Sequence, residues 1–268
     1  KFCLGLRITR DRVKGIIYLD QHRHIVDLLR KFNMYECNPV LLPADVNQKL
    51  SIEMSPTTST EKEIMSKVPY KEAVGSLLYI SQGSRPDITY AVHSVSRFNN
   101  NPGKPHWEAV KRIMRYLKGT MDAKLTFSKS TDSNVLAYCD ADWAADKDER
   151  RSCTGYAVIN QGATISWNSK RQPTIALSSA EAEYMSLSAC AQEALWFRQL
   201  ILELNPRIDN VITIRCDNKS AIDLSNSNGY NARTKHIDIR HHFVRQAIGD
   251  NLILVEHFKT DFMFADIF

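Results

Sequence analysis

The sequence predicts an α/β fold, a mixed sheet with helices packed on it, preceded by a smaller segment built from a hairpin and helices. Three observations carry that expectation. Before about residue 120, apolar residues recur mainly at three- and four-residue steps; after Thr120 the period drops to two, in short runs separated by turn residues; from Ser178 on, helical runs alternate with short apolar ones. Antiparallel strands and a helix, then strand, helix, helix, strand, helix, is the order of a mixed α/β sheet.

The elements follow in order. "FCLGLRITRD" and "GIIYLDQ" read as two short strands around a turn at Gly15, and "QHRHIVDLLRKFNM" as a helix with Ile25, Leu28, Leu29 and Phe32 on one face. Residues 51–69, rich in Ser, Thr and Glu with little periodicity, read as a linker. "YKEAVGSLLYISQ", "RPDITYAVHSVSRFNN" and "HWEAVKRIMRYLKGT" are three helices, with Pro86 suited to a first turn and Gly119 to a C-cap. "AKLTFS", "VLAYCDAD", "TGYAVIN", "ATISWNSK" and "TIALS" are strand-like, and "NQG" is a tight hairpin turn. One long helix starts at Ser178 or Ser179; "VITIRCDN" is a buried strand; "NKSAIDLS" and "TKHIDIRHHFVRQAI" are helices; "LILVEHF" is a strand and a helix starts near Phe264.

With 268 residues, 43% hydrophobic and 24% charged, the chain has the composition of a soluble globular protein of one large domain or two modest ones. A net charge of +5 fits a polyanionic partner without specifying one. The six cysteines show no CxxC pair and no zinc spacing, so they read as reduced core thiols of an intracellular protein. No apolar stretch approaches the roughly 18 residues that span a bilayer, and the start lacks a signal-peptide pattern. Lys1 lies inside a strand-like run and Phe268 inside a helical one, which reads as a fragment.

The stretch "LAYCDADWAADKDERRS" sets apolar residues directly against acids. A carboxylate near a core costs several kcal/mol unless something compensates it, so Asp140 and Asp142 mark either a surface turn or a cation site. On the expected frame Asp140 ends a strand, Glu183 lies in the first turns of the long helix, Asp217 ends "VITIRCD" and Asp266 lies near the start of the last helix. Four carboxylates gathered from these ends would repel strongly unless divalent cations offset them, and hard oxygen donors select Mg²⁺ or Mn²⁺. Two such ions would suit phosphodiester hydrolysis.

"YCDADWA…RRSCTGY", "SWNSKRQPTIALSSAEAEY", "CDNKSAI", "RTKHIDIRHHFVR" and the terminal "ADIF" resemble the ribonuclease H domain of copia-type retrotransposon Pol polyproteins. Upstream, "LGLRITRD…GIIYLDQ…IVDLLRKFNM" and "VPYKEAVGSLLYISQGSRPDITYAV…HWEAVKRIMRYLKGT" resemble the thumb and connection of the same reverse transcriptase. The resemblance covers nearly the whole chain. It implies a ribonuclease H-like five-stranded mixed sheet over residues 121–268, truncated at its C-terminus, after a thumb-like hairpin and helix (1–50), a linker (51–69) and a helical connection (70–120).

It also implies that Asp140, Glu183, Asp217 and Asp266 are the catalytic, metal-binding set for two Mg²⁺ or Mn²⁺ ions. Asp142, Glu181 and Asp238 are the alternatives at three of these positions. Asp142 would point to the same face past the sheet edge, Glu181 suits the helix dipole, and Asp238 precedes "LILVEHF" where the family's fourth acid follows it. His257 is the candidate for a mobile histidine in product release. Asp238 with His236, His241 and His242 looks metal-like, but contact with a hybrid or local ion pairing explains it better than zinc. Arg150, Arg151, Lys170, Arg171, Asn218, Arg233, Lys235 and Arg240 are candidates for nucleic-acid contact. Trp143, Trp167 and Trp196 read as core.

The function the resemblance implies is hydrolysis of the RNA strand of an RNA·DNA hybrid during reverse transcription. The partners are that hybrid and the upstream fingers and palm of the polyprotein; no membrane is involved. The polymerase's own aspartates, in the family's Tyr-x-Asp-Asp motif, are not in this chain. Virus-like particles in the cytoplasm are the expected location, with the nucleus as the alternative. A catalytically inactive relic that folds and binds nucleic acid without cutting is the second reading, favoured by the apolar tail "TDFMFADIF"; a transposase or integrase leaves the connection-like half without a place.

Overall fold

The computed structural model describes residues 1–129, 135–205, 211–226 and 238–268, apart from the Asp238 side chain. They fall into two compact units, residues 1–128 with 146–149, and residues 129–145 with 150–268.

The first unit contains an antiparallel sheet of β1 (Phe2–Cys3), β2 (Leu6–Asp11), β3 (Ile16–Asp20) and β4 (Leu125–Ser128), in that order. The run "FCLGLRITRD" is therefore two strands: Leu4 and Gly5, both at positive φ, turn the chain so that Cys3 faces Leu6. Its helices are α1 (His22–Lys31), α2 (Ser59–Ser66), α3 (Tyr70–Gly83), α4 (Thr89–Ser96) and α5 (Lys104–Gly119), with a short 3-10 turn over Pro86–Ile88. Apolar residues at helical spacing make the core: Ile25, Leu28 and Leu29 of α1, Val74, Leu77 and Ile80 of α3, Val92 and Val95 of α4, and Val110, Ile113, Met114 and Leu117 of α5.

Two further places differ from the sequence reading of this half. Residues 51–69 carry α2, opened by a capping box in which the Glu61 N–H donates to Thr58 Oγ1 at 3.2 Å while Glu61 Oε2 accepts from the Thr58 and Thr57 amides. No residue of α2 is buried, so caps substitute for the apolar stripe that periodicity looks for. The run "AKLTFS" is the other: β4 pairs with β3, Ile17 opposite Phe127, and belongs to this sheet.

His106 fastens the start of α5. The Gly103 amide donates to its Nδ1 at 2.8 Å, which leaves the proton on Nε2 to meet the Ser51 carbonyl oxygen at 3.1 Å. The ring is wholly buried and stacked on Phe98, with centroids 3.9 Å apart.

The second unit is built on five strands in the order β7 (Ala163–Arg171), β6 (Cys153–Asn160), β5 (Leu136–Asp142), β8 (Ile212–Cys216), β9 (Ile253–His257). The β5–β6 and β6–β7 pairs are antiparallel and the β5–β8 and β8–β9 pairs parallel, the mixed sheet that the sequence predicts. Gln161 and Gly162, both at positive φ, close the β6–β7 hairpin in two residues, as "NQG" announces. The helices are α6 (Ser179–Leu204), α7 (Lys219–Asn226) and α8 (Asp238–Gly249). Tyr184, Leu187, Cys190 and Ala191 of α6 pack on Ala137 and Cys139 of β5, with Ile214 and Cys216 of β8 in the same core.

"TIALS" is not a strand. Pro173 ends the ladder after Arg171 and Ser178 already caps α6, which leaves no room for another. The last helix is instead two 3-10 turns, Thr260–Phe262 and Phe264–Ile267. Met263 and Ala265 are buried against Tyr138, and Phe268 is buried too, while Phe262, Phe264 and Ile267 stay exposed, so only part of the apolar tail packs. Gly155 lets that turn come close: a Cβ there would stand 2.8 Å from Cβ of Phe268.

Candidate active site

β5 and β8 run parallel with Leu136 opposite Thr213, Ala137 opposite Ile214 and Tyr138 opposite Arg215. Asp140 follows two residues after Tyr138 and Asp217 directly after the end of β8, so both lie toward the C-terminal ends of neighbouring strands, and Asp140 feels the charge of Asp217. Crevices outside the carboxyl ends of parallel strands are where open α/β sheets bind ligands.

The long helix brings the third acid. Ser178 Oγ accepts from the Glu181 amide at 3.2 Å and Glu181 Oε2 accepts from the Leu177 amide at 2.9 Å, so Glu181 is occupied in closing the helix start. Glu183, two positions on, is 6% exposed. Its carboxyl meets the Ala141 amide and the Asp140 side chain, but among the described residues Oε2, which is buried, has no hydrogen-bond partner. Ser186 Oγ donates to the Gly155 carbonyl at 2.9 Å and fixes the helix over β6.

The terminal turn brings the fourth. Asp266 feels both Asp140 and Asp217. Thr260, on the preceding turn, donates its hydroxyl to Asp217 Oδ2 at 2.7 Å. Asp142 stays within the β5 ladder, opposite Cys153, rather than beyond the sheet edge, and its side chain is exposed. Asp238 opens α8.

Crowding shows in the proton affinities. Burial first, then the charges of Asp140, Cys216 and Asp217, push Glu183 from 4.5 up to about 10. Burial and then Asp217 raise Asp140. Asp266 is exposed overall, yet the protein around its carboxyl, followed by Asp140 and Asp217, raises it to about 6. Such a cluster must either hold protons or take up a cation. The unpartnered Glu183 oxygen and the carboxylates around it are the donor type that suits a hard divalent ion of the Mg²⁺ or Mn²⁺ type, but among the described residues Asp140 and Asp266 are not within the 4.8 Å group of possible ligand atoms. Cys216 also reaches this place: its sulfur and oxygens of Glu183 and Asp217 lie within 4.8 Å of one another. "RCDN" offers a signal for it only once the strand is known to end there.

The basic candidates are partly at the same end. Asp142 faces Cys153 on β6, which faces Arg171 on β7, and Arg151 and Lys170 flank these positions. Asn218 spends its Oδ1 on the Ala221 amide at 3.1 Å, capping α7. Arg240 is half-buried on α8, while Arg233, Lys235 and His236 lie outside the described residues. His257 ends β9 opposite Cys216, with an exposed side chain.

Three aromatic expectations change. Trp143 is 51% exposed, its Nε1–H held by the Ala176 carbonyl oxygen at 3.2 Å, and Trp196 is 57% exposed on α6; neither is core. Trp167 is half-buried. His241 is buried and stacked on Tyr184 at 5.2 Å, a packing role rather than a hybrid contact. His242 lines an open cleft with Ser225, Asn226 and Arg245.

No family model matches the chain. Over 264 residues, 98% of this chain, it is 45% identical to the retrovirus-related Pol polyprotein from transposon TNT 1-94 of Nicotiana tabacum. Over 261 residues, 97% of the chain, it is 38% identical to that from transposon RE1 of Arabidopsis thaliana. The chain spans about a fifth of the length of these relatives, 20% and 17%. Among solved structures, LC11-RNase H1, isolated from compost by a metagenomic approach, is 12% identical with a TM-score of 0.36, covering 48% of this chain and 87% of that one. With this identity along 97–98% of its length, the chain belongs to the retrovirus-related Pol polyproteins of transposons, of which it matches one segment.

Proposed function

We propose that the second unit is the ribonuclease H of a transposon reverse transcriptase, hydrolysing the RNA strand of an RNA·DNA hybrid, and that the first supplies thumb and connection. The observation that carries this reading is Glu183, nearly buried, with one oxygen unpartnered, among Asp140, Asp217 and Asp266. Asp140, Glu183, Asp217 and Asp266 would hold two Mg²⁺ or Mn²⁺ ions, which when bound supply an activated water and stabilise the leaving oxygen.

The chain's own residues do the rest. Arg151, Lys170 and Arg171, beside the acids at one end of the sheet, bind the phosphate backbone and oppose the repulsion between substrate and carboxylates. The Thr260 hydroxyl holds one lone pair of Asp217 and so orients the other oxygen. The exposed face of Trp143 offers a flat surface for a sugar or base. Selectivity for RNA rests on its 2′-hydroxyls, so duplex DNA should not be cut.

Asp140→Asn should lower hybrid cleavage by at least roughly 10²-fold, the scale of losing one preorganised electrostatic group, with the fold intact by circular dichroism. Asp142→Asn should keep most activity, and binding should weaken as salt rises because cation–phosphate contacts release counterions. Unchanged cleavage by Asp140→Asn would sink the proposal. A parent that binds hybrid but never cuts it under Mg²⁺ or Mn²⁺ would establish the inactive relic instead.

A further inference from the structure

The carboxylate cluster is not made of oxygen alone. Cys139 on β5 and Cys216 on β8 stand one step before Asp140 and Asp217 on their strands, and Cys139 contacts both Cys190 of α6 and Cys216. All three thiols are buried and none is in a disulfide. Of the three, Cys216 reaches the acids, within 4.8 Å of oxygens of Glu183 and Asp217.

We propose that Cys216, Glu183 and Asp217 form a second, thiolate-containing metal site that takes a soft or borderline divalent cation such as Zn²⁺ or Cd²⁺, and that this ion excludes the hard ions from the carboxylates. Three features argue for it. Glu183 is 6% exposed and, among the described residues, its buried Oε2 has no hydrogen-bond partner, so the carboxylate that lies near Cys216 keeps an unused lone pair. Ligands around tetrahedral zinc, with bonds of about 2.0–2.3 Å, stand roughly 3.3–3.8 Å apart, so the three atoms need close in by only about an ångström. A thiolate beside two carboxylates favours Zn²⁺ or Cd²⁺ over Mg²⁺, which takes hard oxygen donors and keeps its waters.

Binding breaks the Cys216 S–H bond; the sulfur pair goes to the cation and the proton to solvent. Nothing is oxidised. Glu183 and Asp217 are shared by both sites, so the soft ion acts as an inhibitor competing with Mg²⁺. This part rests on the nuclease reading; the binding site itself does not.

The test uses the full chain with Cys3, Cys37 and Cys153, the thiols that are not fully buried, changed to Ser. Cd²⁺ alone, in Mg²⁺-free buffer, should produce sulfur-to-cadmium charge-transfer absorption saturating at one ion per chain. Cys216→Ser should abolish it, Glu183→Gln should weaken Cd²⁺ binding by about tenfold or more, and Asp140→Asn should retain it. Absence of the band in the parent, or its survival in Cys216→Ser, overturns the proposal. If Cys216→Ser fails to fold, Glu183→Gln and Asp217→Asn decide, and Cd²⁺ affinities equal to the parent's in both would overturn it. The two readings fail separately. A chain that cuts hybrid but shows no band keeps the nuclease and loses this site; one with the band and no cleavage does the reverse.

Discussion

His106 in the first unit and Glu183 in the second are both titratable side chains sunk out of water, and the protein treats them in opposite ways. His106 spends both ring nitrogens, one accepting from Gly103 and one donating to Ser51, and its flat face lies on Phe98. Glu183 is left with an unpartnered oxygen and two acidic neighbours. Desolvation is comparable for both, so the difference lies in what replaces the lost water. Full replacement makes His106 a fastening; partial replacement leaves Glu183 with a buried oxygen unspent.

The largest effect expected from breaking this contrast is on His106. His106→Ala should cost about 3 kcal/mol, from the cavity and from leaving the Gly103 amide and the Ser51 carbonyl unpaired. His106→Gln should cost less, since a glutamine at the same helix position can still accept from the Gly103 amide. Urea unfolding of the two variants checks the order; equal losses would mean that ring packing, not the hydrogen bond, matters.

Glu183→Gln should move stability the other way. Glu183 is raised from 4.5 to about 10, so at neutral pH the unfolded chain ionises it while the fold opposes this. Removing the charge should stabilise the metal-free protein near neutral pH by about 2 kcal/mol, at roughly 1.4 kcal/mol per pKa unit less what the buried amide forfeits. The same variant should lose cleavage. A melting temperature below the parent's in EDTA would contradict the crowding.

The pH dependences sharpen the comparison. Burial lowers the pKa of His106 below 6.5, so the stability it confers is present above 6.5 and is lost as pH falls through the folded-state value. The Glu183 carboxyl is raised, so the stability this group contributes is fully present below 4.5 and is lost as pH rises toward about 10. Hydrogen exchange followed separately in the two units should show α5 loosening first in acid and the start of α6 first in alkali. Mg²⁺ should suppress the alkaline effect alone. The smallest change belongs to the exposed cap: Thr58→Ala should speed exchange within α2, a local cost of about 1 kcal/mol, with almost no change in global unfolding, since no residue of α2 is buried.

What could be read from the sequence was whatever is written locally. Val110, Ile113, Met114 and Leu117 announce a helix by spacing, Ser178 announces its cap, and "NQG" its turn. Partner choice is not local. β4 reads as a strand, but nothing within Leu125–Ser128 says that its neighbour is β3, more than a hundred residues earlier. Exposure is not local either: Trp143, just past β5, reads as core yet faces solvent, whereas His241, beside Arg240 and His242, is sunk against Tyr184. The four acids stand out as residue types at element ends, but the nearness of Cys216 depends on strand register and helix placement together.

The register of β5 on β8, and the turn folded back over Gly155, bear on the order of events during synthesis. Asp140 and Asp266 are separated by 126 positions, and Glu183 and Asp217 come from two further elements. Contacts so distant along the chain form late, because loop closure must precede them. A nascent polypeptide therefore carries no complete carboxylate cluster while most of its sheet is being laid down. Whatever the four acids do together, they can do only after the Phe264–Ile267 turn has packed over Gly155.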